Sequence, residues 1–195
     1  DLHYPLRRQR QMCIRDRNIS CPNVEDRGKM FSHTPASTYE VVQATSQIKT
    51  PRWAKLSPNV TNLVEIANAA KEAGADGVTL INTVMGMVID IDKRRPLLGA
   101  GGGGLSGPAI RPVAIRSVFD VYSAMPDFPI VGVGGVASAK DVVEFLMAGA
   151  SAVQIGSANF ANPRVSSKII ADLAQWCKAN DFESIGAIKG LAHKS

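Results

Sequence analysis

The sequence predicts an α/β protein built on a parallel β-sheet. Short apolar runs rich in β-branched residues alternate with segments whose apolar residues recur at helical spacing, and the two kinds of segment follow each other closely. Strand–loop–helix units of this kind bury parallel strands beneath helices. The chain has 195 residues, of which 45% are hydrophobic and 20% are charged. It is therefore long enough for one domain with its own core.

The first predicted units lie between residues 25 and 56. A polar surface loop over residues 25–35 precedes a helix with Ser37 or Thr38 as N-cap and Glu40 in its first turn. The segment Lys-Thr-Pro at residues 49–51 ends that helix. Residues 53–56 then form a short strand that runs into the loop Ser-Pro-Asn at residues 57–59.

The next unit spans residues 61–83. Thr61 or Asn62 caps a helix whose apolar residues follow the i, i+3, i+4, i+7 pattern, and Gly74 is a suitable residue just beyond its end. The apolar run at residues 78–81 is the next strand, and it ends at Asn82 and Thr83.

The pattern repeats in the last third of the chain. A strand at residues 129–131 leads into a glycine loop, after which Ser138 caps a helix with Asp141 at the N3 position, and Gly149 closes that helix. A strand at residues 152–155 follows, and a final amphipathic helix covers about residues 166–179. Cys177 lies on the apolar side of this helix and is predicted to be core packing.

Small or polar residues follow each predicted strand. They are Asn23, Lys55, Asn82, Gly134 and Ser157. Because the carboxyl ends of parallel strands share one face of the sheet, these residues are expected to converge there, where active sites of such folds are built.

Two glycine loops separate the possible α/β architectures. Residues 132–137, Gly-Val-Gly-Gly-Val-Ala, fit a dinucleotide-binding fingerprint, but the next strand ends at residues 154–157 without an acidic residue to bind a ribose. Successive glycine-containing loops favour instead the phosphate site after the last two strands of a TIM barrel. The N–H groups at the following helix N-termini are expected to hold the phosphate. The glycine-rich run at residues 99–107 follows no predicted strand and is expected to be a mobile loop.

A cysteine in a polar loop is the first candidate for catalysis. Residues 18–24 read Asn-Ile-Ser-Cys-Pro-Asn-Val, and this composition is typical of a loop. Cys21 is either a small buried hydrophobe, as most single cysteines are, or a nucleophile or proton-transferring group held between amides.

Charge and cysteine content disfavour several other classes of protein. The net charge is +5, but the five arginines and two aspartates of residues 1–17 account for +3 of it, and no aromatic platform accompanies them. Nucleic-acid binding is therefore ranked last. The sequence has no signal-peptide core and no membrane-length apolar run. Its three widely spaced cysteines suit a reducing cytoplasm, with neither a disulfide framework nor a metal site.

Six motifs, in order, resemble those of the class 1 dihydroorotate dehydrogenases, and the match is closest to the NAD-linked class 1B branch. They are residues 18–24, Lys-Leu-Ser-Pro-Asn at 55–59, Ile-Asn-Thr at 81–83, residues 104–112, Gly-Val-Gly-Gly at 132–135 and Gly-Ser at 156–157. The resemblance implies an FMN-containing (β/α)8 TIM barrel that oxidises dihydroorotate to orotate in pyrimidine biosynthesis. A related family, the dihydropyrimidine dehydrogenases, has a histidine in place of Asn23.

The resemblance also implies a role for individual residues. Cys21 is the base that removes the C5 proton, and a lysine, Lys55, lies beside the flavin N1/O2 edge. The implied substrate ligands are Asn18, Asn23, Asn82 and Thr83. Ile81 and Gly107 line the flavin ring, and the FMN phosphate is held by Gly134, Gly135, Gly156 and Ser157.

The resemblance begins at residue 18. Residues 1–17 are therefore expected to be an unrelated or disordered leader, and residues 18–195 the C-terminal part of the barrel, covering about strands four to eight. An open sheet of this kind is expected to be unstable or to self-associate. The alternative functions are a non-catalytic half-barrel that binds only phosphate or FMN weakly, and a related dihydropyrimidine dehydrogenase.

The partners follow from the branch of the family. The NAD-linked branch implies an electron-transfer subunit with FAD and an iron–sulfur cluster, whereas class 1A implies a homodimer that uses fumarate. An oligomer is expected for the intact enzyme in either case. The residues themselves do not distinguish the two electron acceptors.

Overall fold

A central sheet organises the protein, which we describe from a computed structural model over residues 16–20 and 31–194. Nine strands occur in these ranges: β1 (Asp16–Asn18), β2 (Trp53–Leu56), β3 (Gly77–Leu80), β4 (Val84–Gly86), β5 (Ile89–Asp90), β6 (Arg95–Pro96), β7 (Gly103–Leu105), β8 (Ile130–Val133) and β9 (Ala152–Gln154). Five of them form a parallel sheet in the order β1-β2-β3-β8-β9. This is the partial α/β barrel that the sequence predicts.

Helices connect and cover these strands. The α-helices of the described ranges are α1 (Pro35–Gln43), α2 (Leu63–Glu72), α3 (Arg111–Ala124), α4 (Ala139–Met147), α5 (Ala158–Ala161) and α6 (Val165–Ala179). Helix α2 connects β2 to β3, α3 precedes β8, and α4 connects β8 to β9. Such βα crossovers keep neighbouring strands parallel. None of the helices in residues 16–20 and 31–194 is long and apolar enough to cross a membrane.

The outer face of the sheet carries the hydrophobic core. Alternate residues of β2, β3 and β8 point toward the helices and are at most 1% exposed: Ala54, Leu56, Val78, Leu80 and Ile130. The ring of Phe145 on α4 lies where a Cβ at Gly132 would be, so the glycine lets this helix pack closely on β8. Cys177 is buried in the same core, as predicted.

The inner face of the sheet is polar and partly open. Register places Asn18, Lys55, Thr79, Val131 and Ala152 in one row across the five strands. The side chain of Asp16 interacts with that of Gln154, although β1 and β9 are the two outermost strands of the sheet. The sheet is therefore curved enough to bring the inner sides of its edge strands together, as in part of a barrel.

A protruding arm, residues 84–105, separates β3 from α3. Strand β4 pairs antiparallel with β7 at its base, and β5 pairs with β6 farther out. The expectation of a mobile loop at residues 99–107 is therefore wrong for Gly103–Leu105, which form β7. Sequence inspection missed this strand because two of its three residues are glycine, and pairing with β4 overrides that poor strand propensity.

Two helices differ from the prediction. Helix α1 begins at Pro35 with Thr34 as N-cap, not Ser37 or Thr38, because Pro35 suits the first helical position and the Thr34 hydroxyl accepts from the Ser37 N–H at 3.2 Å. Helix α3 was not predicted, although Ala114, Val118 and Val121 are spaced for a buried helical face.

The predicted leader at residues 1–17 overlaps the sheet. Strand β1 includes Asp16 and Arg17, which pair with Trp53 and Ala54. Backbone pairing, for which side-chain polarity matters little, places these charged residues in a strand. Residues 1–15 lie outside the described ranges, and the division of the chain at residue 17 stays a prediction.

Candidate active site

A cavity of about 570 Å³ opens at the carboxyl ends of the parallel strands. It brings together most of the residues that the sequence singled out: Lys55, Ile81, Asn82, Thr83, Gly107, Gly134, Gly135, Gly156 and Ser157. These residues come from strand β2 and four separate loops, and the parallel topology is what makes them neighbours. The remaining lining residues are Ser106, Ile110, Val133, Val136, Asn159 and Phe160.

Amide and hydroxyl groups form a network beside this cavity. Asn82 Nδ2 donates to Asn18 Oδ1 at 3.1 Å, to Ser20 Oγ at 2.8 Å and to the Ser20 carbonyl at 3.0 Å. The Ser20 hydroxyl donates to Asn18 Oδ1 at 3.1 Å. Among the described residues, none accepts a hydrogen bond from Asn18 Nδ2, so this donor is available to a ligand. Asn82 mainly orients Asn18 and Ser20.

Lys55 is the one charged residue that lines the cavity within residues 16–20 and 31–194. The carboxyl group of Asp16 lies close enough to attract its ammonium group. Burial raises the pKa of Asp16 above its ordinary value, and the Lys55 charge, followed by the side chains of Thr79 and Gln154, opposes this shift. Asp16 Oδ1 and Thr79 Oγ1 are both buried without a hydrogen-bond partner among the described residues.

Two glycine loops form the opposite side of the cavity. The N–H groups of Gly135, Gly156 and Ser157 take part in none of the hydrogen bonds described for the loops. Gly135 has φ +72°, and a Cβ there would lie 2.7 Å from the Gly107 carbonyl oxygen. The loops after β8 and before α3 therefore touch through a residue that has to be glycine. Together they present backbone donors to the cavity.

Side chains of its own first turn bind several N–H groups at the N-terminus of α4. Asp141 Oδ2 accepts from the N–H groups of Ala137 and Ser138 at 2.9 and 2.8 Å, and the Asp141 N–H donates to Ser138 Oγ, which completes the predicted capping box. Asp141 therefore occupies part of this helix terminus, and the expectation that helix N-termini hold a phosphate stays a prediction. Arg111 forms ion pairs with Asp141 and Glu144 and is neutralised by them.

Asn159 holds the second glycine loop in shape. Its Nδ2 donates to the carbonyls of Ile155 and Gly156 at 2.7 and 3.1 Å, and its Oδ1 accepts from Ser166 Oγ at 3.1 Å. The backbone around Gly156 and Ser157 is thereby tied to helix α6.

Sequence reasoning missed several of these residues. Ser20 stands between two predicted site residues, and that adjacency was the available signal. Asn159 carried a weaker signal, two residues after a predicted site residue. Asp16 carried none, because an acidic residue in an arginine-rich segment has no pattern that points to a site.

Two predicted site residues, Cys21 and Asn23, lie outside the described residues. The residue before Cys21 is described, and the carbonyl of Ser20 is held by Asn82. The roles assigned to all predicted site residues stay predictions.

Comparisons with known proteins identify the family. The family profile described as dihydroorotate dehydrogenase matches residues 9–176. The catalytic subunit of dihydroorotate dehydrogenase B (NAD(+)) from Desulforudis audaxviator is 49% identical over 179 residues, which are 91% of this chain and 58% of that protein. The subunit of the same name from Parabacteroides distasonis is 49% identical over 175 residues, 89% of this chain and 57% of that protein.

A solved structure agrees on the fold. The dihydroorotate dehydrogenase of Eimeria tenella, crystallised with ferulenol, superposes with a TM-score of 0.75 at 21% identity, over 92% of this chain and 54% of that one. The chain thus spans little more than half the length of the relatives it matches. The predicted resemblance, including that to the NAD-linked branch, is confirmed. The chain belongs to the dihydroorotate dehydrogenase family.

Proposed function

We propose that this chain forms the catalytic half of an FMN-dependent dihydroorotate dehydrogenase, which oxidises dihydroorotate to orotate in pyrimidine biosynthesis. The observation that carries the proposal is the convergence of one cation, an amide network and two glycine loops on one cavity. Relatives named as catalytic subunits of dihydroorotate dehydrogenase B support the choice of reaction.

The residues around the cavity fit FMN. The volume of about 570 Å³ lies in the range of roughly 300–1,000 Å³ that is usual for cofactor sites. Gly135 provides close backbone approach where a Cβ would collide, and the N–H groups of Gly135, Gly156 and Ser157 suit a phosphate. Apolar side chains of Ile81 and Val133 suit the flat faces of a flavin ring.

A bound FMN would supply the acceptor for the hydride that leaves C6 of dihydroorotate. Lys55 stabilises the negative charge that accompanies this transfer, because it brings a fixed cation to the site. Asp16 lies beside Lys55 on the inner face and partly balances its charge.

The amide network orients the substrate and the base. Asn18 has an Nδ2 donor that no residue of the described ranges accepts from, and this donor suits a substrate carbonyl or carboxylate. Asn82 and Ser20 fix the orientation of the Asn18 amide. Asn82 also holds the Ser20 carbonyl, immediately before Cys21. We assign to the Cys21 thiolate the removal of the C5 proton, and to Asn23 and Thr83 further contacts with the substrate.

The partner and acceptor belong to the same proposal. In an enzyme of the NAD-linked branch, electrons pass from the reduced flavin to a second subunit that carries FAD and an iron–sulfur cluster, and from there to NAD. We expect this chain to contact such a subunit and not to span a membrane.

The experiment is anaerobic reduction of FMN by dihydroorotate, followed at the visible flavin band. The purified chain, loaded with FMN, is expected to lose this band on addition of dihydroorotate. Cys21→Ser is expected to slow the loss by about 10²–10⁴-fold, the usual contribution of a general base. Cys177→Ser is the matched control, because this thiol is buried in the core away from the cavity. A flavin-loaded chain that dihydroorotate does not bleach would contradict the proposed activity.

Binding of FMN without turnover is the second candidate function. The partly open inner face favours it, because the described strands leave the cavity open to water on one side. In this case FMN binds, dihydroorotate leaves the band unchanged, and Lys55→Met still weakens the binding of FMN.

A further inference from the structure

Asn59, in the loop after β2, joins two strands at the edge of the cavity. Its Nδ2 donates to the Thr83 carbonyl at 3.0 Å and to Ser57 Oγ at 2.9 Å. Its Oδ1 accepts from the Met85 N–H at 2.9 Å. One side chain therefore bonds both the carbonyl and the N–H that flank Val84.

This pattern is that of a parallel β-ladder with a side chain in place of a peptide group. In a parallel ladder, the N–H of one residue donates to residue j−1 of the neighbouring strand and its carbonyl accepts from residue j+1. The Asn59 amide does the same with Thr83 and Met85. It extends the β2–β3 pairing beyond the point where both backbones leave the sheet, after the Asn82 N–H donates to the Leu56 carbonyl at 2.8 Å.

The segment that Asn59 holds contributes directly to the cavity. Asn82 and Thr83 line it, and β4, at the base of the arm, begins immediately afterwards. Thr83 is also confined from the other side, because its side chain occupies the place where a Cβ at Gly104 would be. Asn59 itself does not line the cavity.

We propose that Asn59 is a positioning residue that sets Thr83 and the base of the arm for binding of the orotate ring. The inference rests on the proposed function and deepens it. To bind both the Thr83 carbonyl and the Met85 N–H, a side chain needs a donor and an acceptor side by side, as the asparagine amide has. An alanine or a leucine at this position leaves both backbone groups unpaired.

The test compares Asn59→Leu, Asn59→Asp and Asn62→Ala with the unmodified chain loaded with FMN. Leucine keeps the size of asparagine without its hydrogen bonds, and aspartate keeps the acceptor for the Met85 N–H. Asn62 is the matched control, because it caps α2 three residues away and contacts neither Thr83 nor Met85. The readouts are orotate affinity, from the change in the flavin spectrum, FMN affinity, from fluorescence quenching, and exchange of the Met85 amide proton.

Asn59→Leu is expected to weaken orotate binding about tenfold, the loss expected for one or two hydrogen bonds, and to speed Met85 exchange. FMN affinity is expected to stay within about twofold, because Asn59 contributes nothing to the glycine loops. Asn59→Asp is expected to retain Met85 protection and intermediate orotate affinity. Asn62→Ala is expected to lower stability without changing orotate affinity.

Two results overturn the inference in distinguishable ways. Unchanged orotate affinity in Asn59→Leu, or an equal loss in Asn62→Ala, overturns the positioning role while the proposed function stands. An unmodified, FMN-loaded chain that binds no orotate overturns the proposed function, and the inference with it.

Discussion

Lys55 and Leu56 are neighbours on strand β2, yet they face opposite environments. Leu56 points outward and is fully buried beneath the helices, whereas Lys55 points inward and lines the cavity. The same contrast continues along β3, where Val78 and Leu80 point outward and Thr79 points inward. The outer face is apolar throughout these strands, and the inner face holds a lysine, a carboxylate and amides.

This difference shows that the two faces of one sheet have separate roles, the outer face in stability and the inner face in the candidate site. Burial of apolar side chains on the outer face supplies the free energy that holds the strands in place. The inner face is then free to carry polar groups that lower stability, such as the buried Asp16 carboxylate. Substitutions on the two faces should therefore affect different measurements.

The largest effect is expected on the outer face. Leu56→Ala removes a fully buried side chain and is expected to lower the free energy of unfolding by about 2–5 kcal/mol, measured by urea denaturation. The neighbouring Lys55→Met keeps the length of the side chain and is expected to change that free energy by about 0.5 kcal/mol or less. Equal losses in both variants would contradict the division between the faces.

Lys55→Met should instead change ligand binding. It removes the one charged group that the described part of the chain contributes to the cavity, and FMN affinity is expected to fall by about 10–100-fold, the value of a hydrogen bond to a charged group. Fluorescence quenching of FMN measures it. Lys140→Met, on α4 away from the cavity, is the control and should bind FMN as the unmodified chain does.

Gly135→Ala tests the contact between the glycine loops. A Cβ at φ +72° costs about 1–2 kcal/mol of stability, and it would also press on the Gly107 carbonyl. Both the urea midpoint and FMN affinity are expected to fall. Gly186→Ala is the control, because its nearest neighbour would lie 3.6 Å from the new Cβ. Unchanged FMN affinity in Gly135→Ala would show that this loop does not hold the cofactor.

The smallest effect is expected for Asp16→Asn, and it depends on pH. Burial raises the pKa of Asp16 in the folded chain, so the folded state binds protons more tightly than the unfolded state. The contribution of Asp16 to the free energy of unfolding therefore falls as pH rises from about 3.9, the pKa of an aspartate in the unfolded chain, through the raised pKa in the folded chain. Asp16→Asn is therefore expected to raise the urea midpoint at pH 7 and to lose this gain toward pH 4.

Asp90→Asn is the matched control of opposite sign. The backbone N–H of Lys93 lowers the pKa of Asp90, so its ionised form favours the folded state. The substitution is expected to lower stability slightly at pH 7, and the loss should disappear as pH falls below the ordinary range of an aspartate. The same sign in both variants would contradict the burial of Asp16.

The local sequence was sufficient to predict the elements whose ends carry capping residues or other clear boundary signals. Asn62 and Ser138 begin α2 and α4 as predicted, because each side chain satisfies N–H groups of its own first turn. Strand β2 has the predicted bounds. Short-range hydrogen bonds of this kind depend on a few adjacent residues, and these residues are visible in the sequence.

Elements that depend on distant partners were not predictable in the same way. Strand β7 exists because β4, from the other side of the arm, pairs with it. The start of α1 was misplaced for a different, local reason, because Thr34 and not Ser37 is the N-cap.

By itself the sequence determined the order of the βα units, the strand ends that carry polar residues and the family that these motifs resemble. The alternation of apolar and polar residues and the capping of helices depend on neighbouring residues, so both can be read from the sequence. Only the tertiary structure decided which of those polar groups meet. Pairing of β1 with β2 brought Asp16 near Lys55, and curvature of the sheet brought it near Gln154. The departure of the chain from β3 brought Thr83 and Met85 to Asn59. Contacts across such sequence separations arise from the packing of whole elements, which no short stretch of residues encodes.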